Sequence, residues 1–182
     1  MDLILLNGAP GVGKSTVAEL LVDRMPLALN LDIDLVRRQL GRWVDAPGDA
    51  GLAARDLSIA MARTHLASGY SVVVAQYLGR PEFLERLEQT ALDTGSRFVE
   101  VVLTADVDTL ADRFHSRTLE AAHPSHAEIA AMVEAGTGGG TPLELHARLT
   151  SLLLHRPRAV LISTEGRSAD DVCADVLGVL AS

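Results

Sequence analysis

Gly8, Ala9, Pro10, Gly11, Val12, Gly13, Lys14 and Ser15 follow one another as G-x-x-x-x-G-K-S. That spacing is the pattern of a phosphate-binding loop, or P-loop. Its chemistry is the grip of a polyphosphate. Glycines let backbone N–H groups turn inward around phosphate oxygens at a helix N-terminus. The lysine reaches the β- and γ-phosphates, and the hydroxyl after it ligates Mg2+. Lys14 and Ser15 stand at those two places, with Thr16 beside them. A plain glycine-rich turn can imitate the bare pattern, so the flanks decide. Here the apolar run Leu3-Ile4-Leu5-Leu6 precedes the loop and a helix-like stretch from Ser15 to Met25 follows it. Strand, loop and helix in that order are what the motif requires. Residues 8 to 16 are therefore the expected nucleotide site, and Ser15 is an expected metal ligand.

A second cluster lies at Leu31-Asp32-Ile33-Asp34-Leu35-Val36-Arg37-Arg38. Two carboxylates one residue apart follow an expected strand. The carboxyl ends of strands are where ligands bind in parallel α/β sheets. Phosphoryl transfer to an alcohol needs a carboxylate to accept the hydroxyl proton and a means of holding Mg2+ near the γ-phosphate. Asp34 suits the first task. Asp32 suits the second, directly or through water. Arg37 is three residues past Asp34 and shares its helix face. Aspartate at a helix start is equally a common N-cap. The spacing alone leaves both readings open, and the P-loop favours the catalytic one.

These residues need elements to hold them. Short β-rich apolar runs predict strands at 2–7, 27–31, 70–77, 97–104 and 158–163. Helical patterns fill 14–25, 34–42, 50–68, 81–94, 106–117, 142–155 and 168–181. Such alternation predicts a parallel sheet covered by helices on both faces, an α/β class of three layers. Pro81 suits a helix first turn, Thr104 or Asp106 suits a cap, and Gly69 and Gly95 stand where helices should stop. Residues 118–141 break the rhythm. They hold His123-Pro124-Ser125-His126 and the run Gly136-Thr137-Gly138-Gly139-Gly140-Thr141-Pro142. Three consecutive glycines are a poor helix interior. The stretch reads as a mobile insertion within one domain spanning 1–182, with a short helix between its breakers.

Bulk composition narrows the class. At 182 residues, the chain is long enough for one domain with a full core. Aromatics make up only 3%, so that core must be aliphatic. A net charge of −8 argues against nonspecific nucleic-acid binding, which needs a basic surface. It permits a neutral or cationic substrate, and the P-loop neutralises phosphate locally. No apolar run reaches the roughly 18 residues of a membrane span, so no membrane partner is expected. Asp2 and the lack of a basic start argue against a secretory signal. The single cysteine, Cys173, cannot form an internal disulfide and reads as a core residue; a cytoplasmic setting fits.

The P-loop, followed by a strand ending in an Asp pair and then Asp34-Leu35-Val36-Arg37, resembles the small P-loop kinases. These include shikimate kinase, gluconate kinase, chloramphenicol phosphotransferase and the kinase domain of polynucleotide kinases. The resemblance covers most of the chain in segment order, with the P-loop as its specific part. It implies a three-layer αβα fold whose five-stranded parallel sheet has the order 2-3-1-4-5, with residues 118–141 as a lid. It implies ATP and Mg2+ as cofactors. Asp32 and Asp34 match the Asp-x-Asp that serves metal and substrate in shikimate kinase. Asp34 matches the single base of the phosphotransferase and polynucleotide kinases. Gln76 replaces the acidic residue that many P-loop proteins carry after the third strand, which weakens a GTPase or motor reading. Gln76, Tyr77 and Arg80 then join Asp34 and Arg37 as acceptor-side candidates, though Arg80 also suits a solvated helix start. Arg113 and Arg117, four apart on one helix face, match the lid-base arginines that bind γ-phosphate. Two surface arginines near Asp112 are the plainer account.

Trp43 and Arg42 read as acceptor-pocket wall or, more simply, as packing. The spacing of His123 and His126 is weak evidence for a metal. Residues 163–167 fall where relatives hold adenine by backbone. The expected activity is transfer of the γ-phosphate of ATP to a hydroxyl of a small metabolite or antibiotic, with Asp34 as base and Lys14, Arg113 and Arg117 stabilising the transferred group. Two rivals are a nucleoside monophosphate kinase-like enzyme with a phosphate acceptor, and a nucleotide-dependent binding or resistance protein without turnover. The acceptor, ATP against GTP, and oligomeric state are left open by the sequence.

Overall fold

A computed structural model describes residues 1–106 and 142–182. Its strands are β1 (Asp2–Gly8), β2 (Leu29–Asn30), β3 (Val72–Ala75), β4 (Arg97–Thr104) and β5 (Val160–Ser163). Its helices, among the described residues, are α1 (Lys14–Val22), α2 (Ile33–Arg38), α3 (Pro47–Ala67), α4 (Pro81–Asp93), α5 (Pro142–Leu153) and α6 (Ala169–Ala181). A single 3-10 turn, Trp43–Asp45, precedes α3. All five strands pair in parallel in the order β2-β3-β1-β4-β5, the order that the resemblance implies. The expected helix over 106–117 and the insertion over 118–141 fall almost wholly outside the described residues.

The sheet is buried on both faces, and β1 shows why its sequence reads as one continuous apolar run. Side chains alternate across a strand, so Leu3 and Leu5 join one core while Ile4 and Leu6 join the other. All four are fully buried. Each such side chain contributes roughly 1.5–3 kcal/mol relative to exposure. On the Ile4 face lie Val17, Ala18 and Leu21 of α1 and Val172, Cys173 and Val176 of α6. Cys173 is thus a core residue, as expected. On the Leu3 face lie Val36 of α2, Ala54, Ala62 and Leu66 of α3, and Leu84, Leu87 and Ala91 of α4.

Helix ends follow local signals. Pro81 opens α4. Gly69 and Gly95 follow the last turns of α3 and α4, and both ends close with paired bonds. Gly69 N–H donates to Leu66 O and Tyr70 N–H to His65 O; Gly95 N–H donates to Leu92 O and Ser96 N–H to Ala91 O. α3 starts at Pro47 rather than 50, since a proline is at home in a first turn. β2 is shorter than the expected 27–31. Leu27 adopts φ +54° before it, and Asp32 starts a helix directly after it.

Candidate active site

Parallel pairing brings the carboxyl ends of β1, β2 and β3 to one edge of the sheet. The P-loop leaves β1 there. Gly8, the last residue of β1, has φ +149°, and a Cβ on it would lie 2.6 Å from the Leu103 carbonyl oxygen and 2.8 Å from Val12 Cγ1. The backbone therefore passes against β4 at a distance that only glycine allows. Ala9 and Val12 turn inward at 3% and 1% exposure and anchor the loop in the core. Their share in a nucleotide site is through backbone. Gly13 stands at the N-cap of α1 with φ +100°, no side chain caps the helix, and its first turn holds no acidic residue. The amides of that turn stay available to an anion, with the helix dipole behind them. Lys14 is partly buried and lies across the loop. Its Nζ donates to the carbonyl oxygens of Gly8 (2.9 Å) and Ala9 (3.0 Å). Ser15 and Thr16 are exposed at the mouth of the loop. Uncapped amides, a lysine bonded to the loop carbonyls and an exposed serine suit a polyphosphate with Mg2+.

At the end of β2 the two aspartates do different work. Asp32 is the N-cap of α2. Its Oδ1 accepts from the N–H groups of Asp34 (2.8 Å) and Leu35 (3.1 Å). Its other carboxylate oxygen takes no hydrogen bond among the described residues. Asp34 sits in the first turn and leaves the capping to Asp32. It faces Arg37, whose Nη2 lies 3.2 Å from Asp34 Oδ1. Arg37 is 14% exposed at the side chain, and its guanidinium carbon lies 4.8 Å from the centre of the Trp43 ring. A cation on an aromatic face is attracted to it. So Trp43 packs, as the simpler expectation has it, and what it packs is Arg37. Arg42 instead pairs with Asp45 on the surface at 2.6 Å.

The segment after β3 closes the site. Gln76 N–H donates to Leu6 O (3.1 Å), continuing the ladder past β3. Gln76 and Tyr77 are half-buried, and Arg80 is exposed at the start of α4. The Tyr77 hydroxyl donates to Leu145 O of α5 (2.9 Å). Burial pushes the Tyr77 phenol above its ordinary value, against the opposing charges of Arg148 and Arg80. A Cβ on Gly79 would lie 2.3 Å from the Tyr77 hydroxyl oxygen, so Gly79 gives that ring its room.

Sequence reasoning did not single out Asn7, which is fully buried at the end of β1. Its Oδ1 accepts from Gly8 N–H (2.8 Å) and Leu78 N–H (2.9 Å), and its Nδ2 donates to Leu78 O (3.0 Å). A polar residue closing an apolar strand is the signal that marks it. A second missed group lies away from the sheet edge. Glu100 of β4, 3% exposed at the side chain, accepts from Arg156 Nε (2.8 Å), and Arg156 Nη1 also donates to Glu88 of α4 (2.8 Å). Burial pushes the Glu100 carboxyl up, although Arg156 opposes the shift. Arg113, Arg117, His123 and His126 lie outside the described residues. Among the described residues, no group of three or more His, Cys, Asp or Glu side chains converges as a metal cage, and no helix is long and apolar enough to cross a membrane.

Such a loop on such a sheet defines a P-loop protein. Residues 3–135 match a family model described as an AAA domain, and the chain belongs to that family. Uncharacterized proteins of Mycobacterium bovis and Mycobacterium tuberculosis are 35% identical to it over 127 residues, which cover 63% of this chain and 25% of each relative. The aligned part thus spans about a quarter of the length of those relatives. Similar solved structures include a gluconokinase from Sinorhizobium meliloti 1021, with TM-score 0.59, 19% identity and coverage of 99% of this chain and 91% of that one. The Deinococcus radiodurans tunicamycin resistance protein gives 0.63 at 13% identity, covering 99% and 95%. A Mycobacterium tuberculosis APS kinase gives 0.56 at 17%, covering 100% and 99%. These identities make the likeness one of fold: a parallel sheet in the order 2-3-1-4-5, flanked by helices, with a P-loop after its first strand.

Proposed function

We propose that the chain is an ATP-dependent kinase that transfers the γ-phosphate to a hydroxyl of a small molecule. The observation that carries this reading is the division of labour between the two aspartates. Asp32 caps α2, which leaves Asp34 held by Arg37 at the sheet edge where the P-loop opens. A carboxylate in that place is suited to take the hydroxyl proton. The acceptor oxygen then bonds to the γ-phosphorus, the bond from that phosphorus to the β–γ bridging oxygen breaks, and ADP leaves. Lys14 would turn from the loop carbonyls to the β- and γ-oxygens. ATP would bring Mg2+, which neutralises developing charge; Ser15 and the second oxygen of Asp32 would hold it. Gln76, Tyr77 and Arg80 would line the acceptor side, and Arg113 and Arg117 would bind the γ-phosphate. Arg117→Ala is then expected to lower transfer more than ATP affinity.

Two measurements test the reading. A ligand that binds only the native state at a hundred times its dissociation constant adds about 2.7 kcal/mol of stability. Millimolar ATP with Mg2+ is expected to raise the melting temperature, and Lys14→Ala to remove most of the rise. No shift in the unsubstituted protein would sink the nucleotide site. ADP release is then screened over metabolites and antibiotics. Release with phosphate-bearing acceptors alone would favour the phosphate-acceptor enzyme, and binding without any release would favour the non-catalytic protein.

A further inference from the structure

Asn7 binds Leu78 as a neighbouring strand would, donating to its carbonyl and accepting from its N–H. The same Oδ1 also accepts from Gly8, the first residue of the P-loop motif. Only one orientation of the amide satisfies all three partners, since Oδ1 must face two donors and Nδ2 one acceptor. The group is fully buried, so water cannot substitute for a lost bond. The last backbone ladder bond on this side runs from Gln76 N–H to Leu6 O, one residue before Asn7. Beyond it, the Asn7 side chain carries the connection between β1 and residues 76–80. Leu78 is itself anchored at 5% exposure. Its neighbour Tyr77 reaches onward to Leu145 of α5. A contiguous path therefore runs from the phosphate loop to the acceptor-side segment and to a further helix.

We propose that Asn7 is a positioning residue that couples the nucleotide loop to the segment 76–80, so that nucleotide on the loop orders the acceptor side. The coupling rests on the nucleotide reading of the P-loop. It needs no identified acceptor, because its first effect is on the protein itself. A shift of Gly8 on phosphate binding moves an oxygen that Leu78 shares. Spatial continuity alone does not establish coupling, so the test perturbs the link and reads both ends.

The experiment is amide hydrogen exchange with and without ATP and Mg2+, compared as protection factors at pH 8 and pH 5.5. In the unsubstituted protein, nucleotide is expected to slow exchange at 8–16 and at 76–80 together. In Asn7→Asp the carboxylate still accepts from Gly8 and Leu78, but it faces the Leu78 carbonyl with no hydrogen to donate. The response of 76–80 is expected to fall about tenfold at pH 8, in keeping with loss of one buried hydrogen bond and the mismatch left behind. The response of 8–16 should persist. At pH 5.5 a buried carboxyl regains its proton, can donate to Leu78 O, and should restore much of the response at 76–80. A merely structural defect would show no such recovery with acid. If Asn7→Asp does not fold, Asn7→Ala is used; the loss is then expected at both pH values at 76–80 alone, and an equal loss at 8–16 overturns the proposal. An unchanged response of 76–80 in the variant overturns the proposal. So does a response confined to 8–16 in the unsubstituted protein. Absence of any response at 8–16 overturns the nucleotide reading together with it, and the two failures are told apart by that segment.

Discussion

The P-loop and the corner between β2 and α2 share one sheet edge but are built on different principles. In the loop, the working groups are mostly backbone. Gly8 is forced by the approach to Leu103, Ala9 and Val12 root the loop in the core, and Lys14 rests on two loop carbonyls. In the corner, the working groups are side chains whose roles depend on where one short helix begins. Asp32 caps because α2 starts at Ile33; Asp34 is left to Arg37, and Arg37 to Trp43. A backbone site tolerates little change in sequence but fixes its geometry locally. A side-chain site can take new acceptors by changing a few residues. Under the proposed function, the backbone region would hold the phosphate donor and the side-chain region would select the acceptor.

The two regions separate most clearly when each is changed alone. Asp34→Asn keeps the size of the side chain and loses the proton acceptor. Transfer to a true acceptor is expected to fall by about 10²–10⁴-fold, the usual worth of general base catalysis. The thermal stabilisation by ATP with Mg2+ should survive. Lys14→Ala should do the reverse for stabilisation, removing it while leaving the fold intact. Wild-type turnover in Asp34→Asn, measured as ADP release, would reduce Asp34 to a partner for Arg37 and raise the phosphate-acceptor reading.

A smaller effect is expected from a site outside both regions, and it serves as the control. Arg156 sits between Glu100 and Glu88, with Glu100 almost wholly buried. Removing one member of a buried ion pair typically costs about 3–5 kcal/mol, because a charge is left uncompensated. Arg156→Leu is expected to cost about 3 kcal/mol at pH 8. The cost should shrink toward pH 5. Burial raises the Glu100 carboxyl above its ordinary 4.5 in the folded protein, so the native state holds that proton more tightly than the unfolded chain. Stability from this group is then present at low pH and lost as pH rises through the folded value. Without Arg156 the folded value moves higher still and the loss widens. Denaturant unfolding at several pH values checks this; a pH-independent cost would show that packing, not charge, is lost. The shift caused by ATP should be the same as in the unsubstituted protein.

How much of this was legible in the sequence follows from the same contrast. The P-loop is a contiguous pattern, and β1, β3 and β4 are strong apolar runs, so loop and sheet could be read directly. The strand order came through the resemblance, and the structure has it. The Asp pair could be found by spacing, but its division of labour could not. A helix expected from 34 differs from one starting at Ile33 by a single residue, and that residue decides which aspartate caps. The partners of Asn7, Glu100 and Arg156 are hidden for another reason. These bonds span 71, 56 and 68 positions along the chain, and no local pattern joins their ends. Tyr77 reads from the sequence as an acceptor-side candidate, but its bond to Leu145 spans 68 positions and is equally hidden.

The smallest expected effect tests the capping role of Asp32 itself. An N-cap aspartate replaced by alanine leaves first-turn amides without a partner, at a typical cost of about 1 kcal/mol. Asp32→Ala should lose about that much stability, whereas Asp32→Asn, which still offers an oxygen to Asp34 N–H and Leu35 N–H, should lose little. The helix concerned is short, six residues, and the cap bonds the amides of Asp34 and Leu35 directly. Loss of the cap should therefore move Asp34 as well. The two variants then separate the two roles the spacing left open. If Asp32 serves only as a cap, Asp32→Asn keeps both stability and transfer. If its second oxygen also helps to hold Mg2+, Asp32→Asn keeps stability but needs more Mg2+ for half-maximal transfer, because an amide is a weaker ligand for a hard cation than a carboxylate. An Asp32→Ala protein as stable as the parent would remove the cap, and with it the separation of roles on which the proposal of Asp34 as base rests.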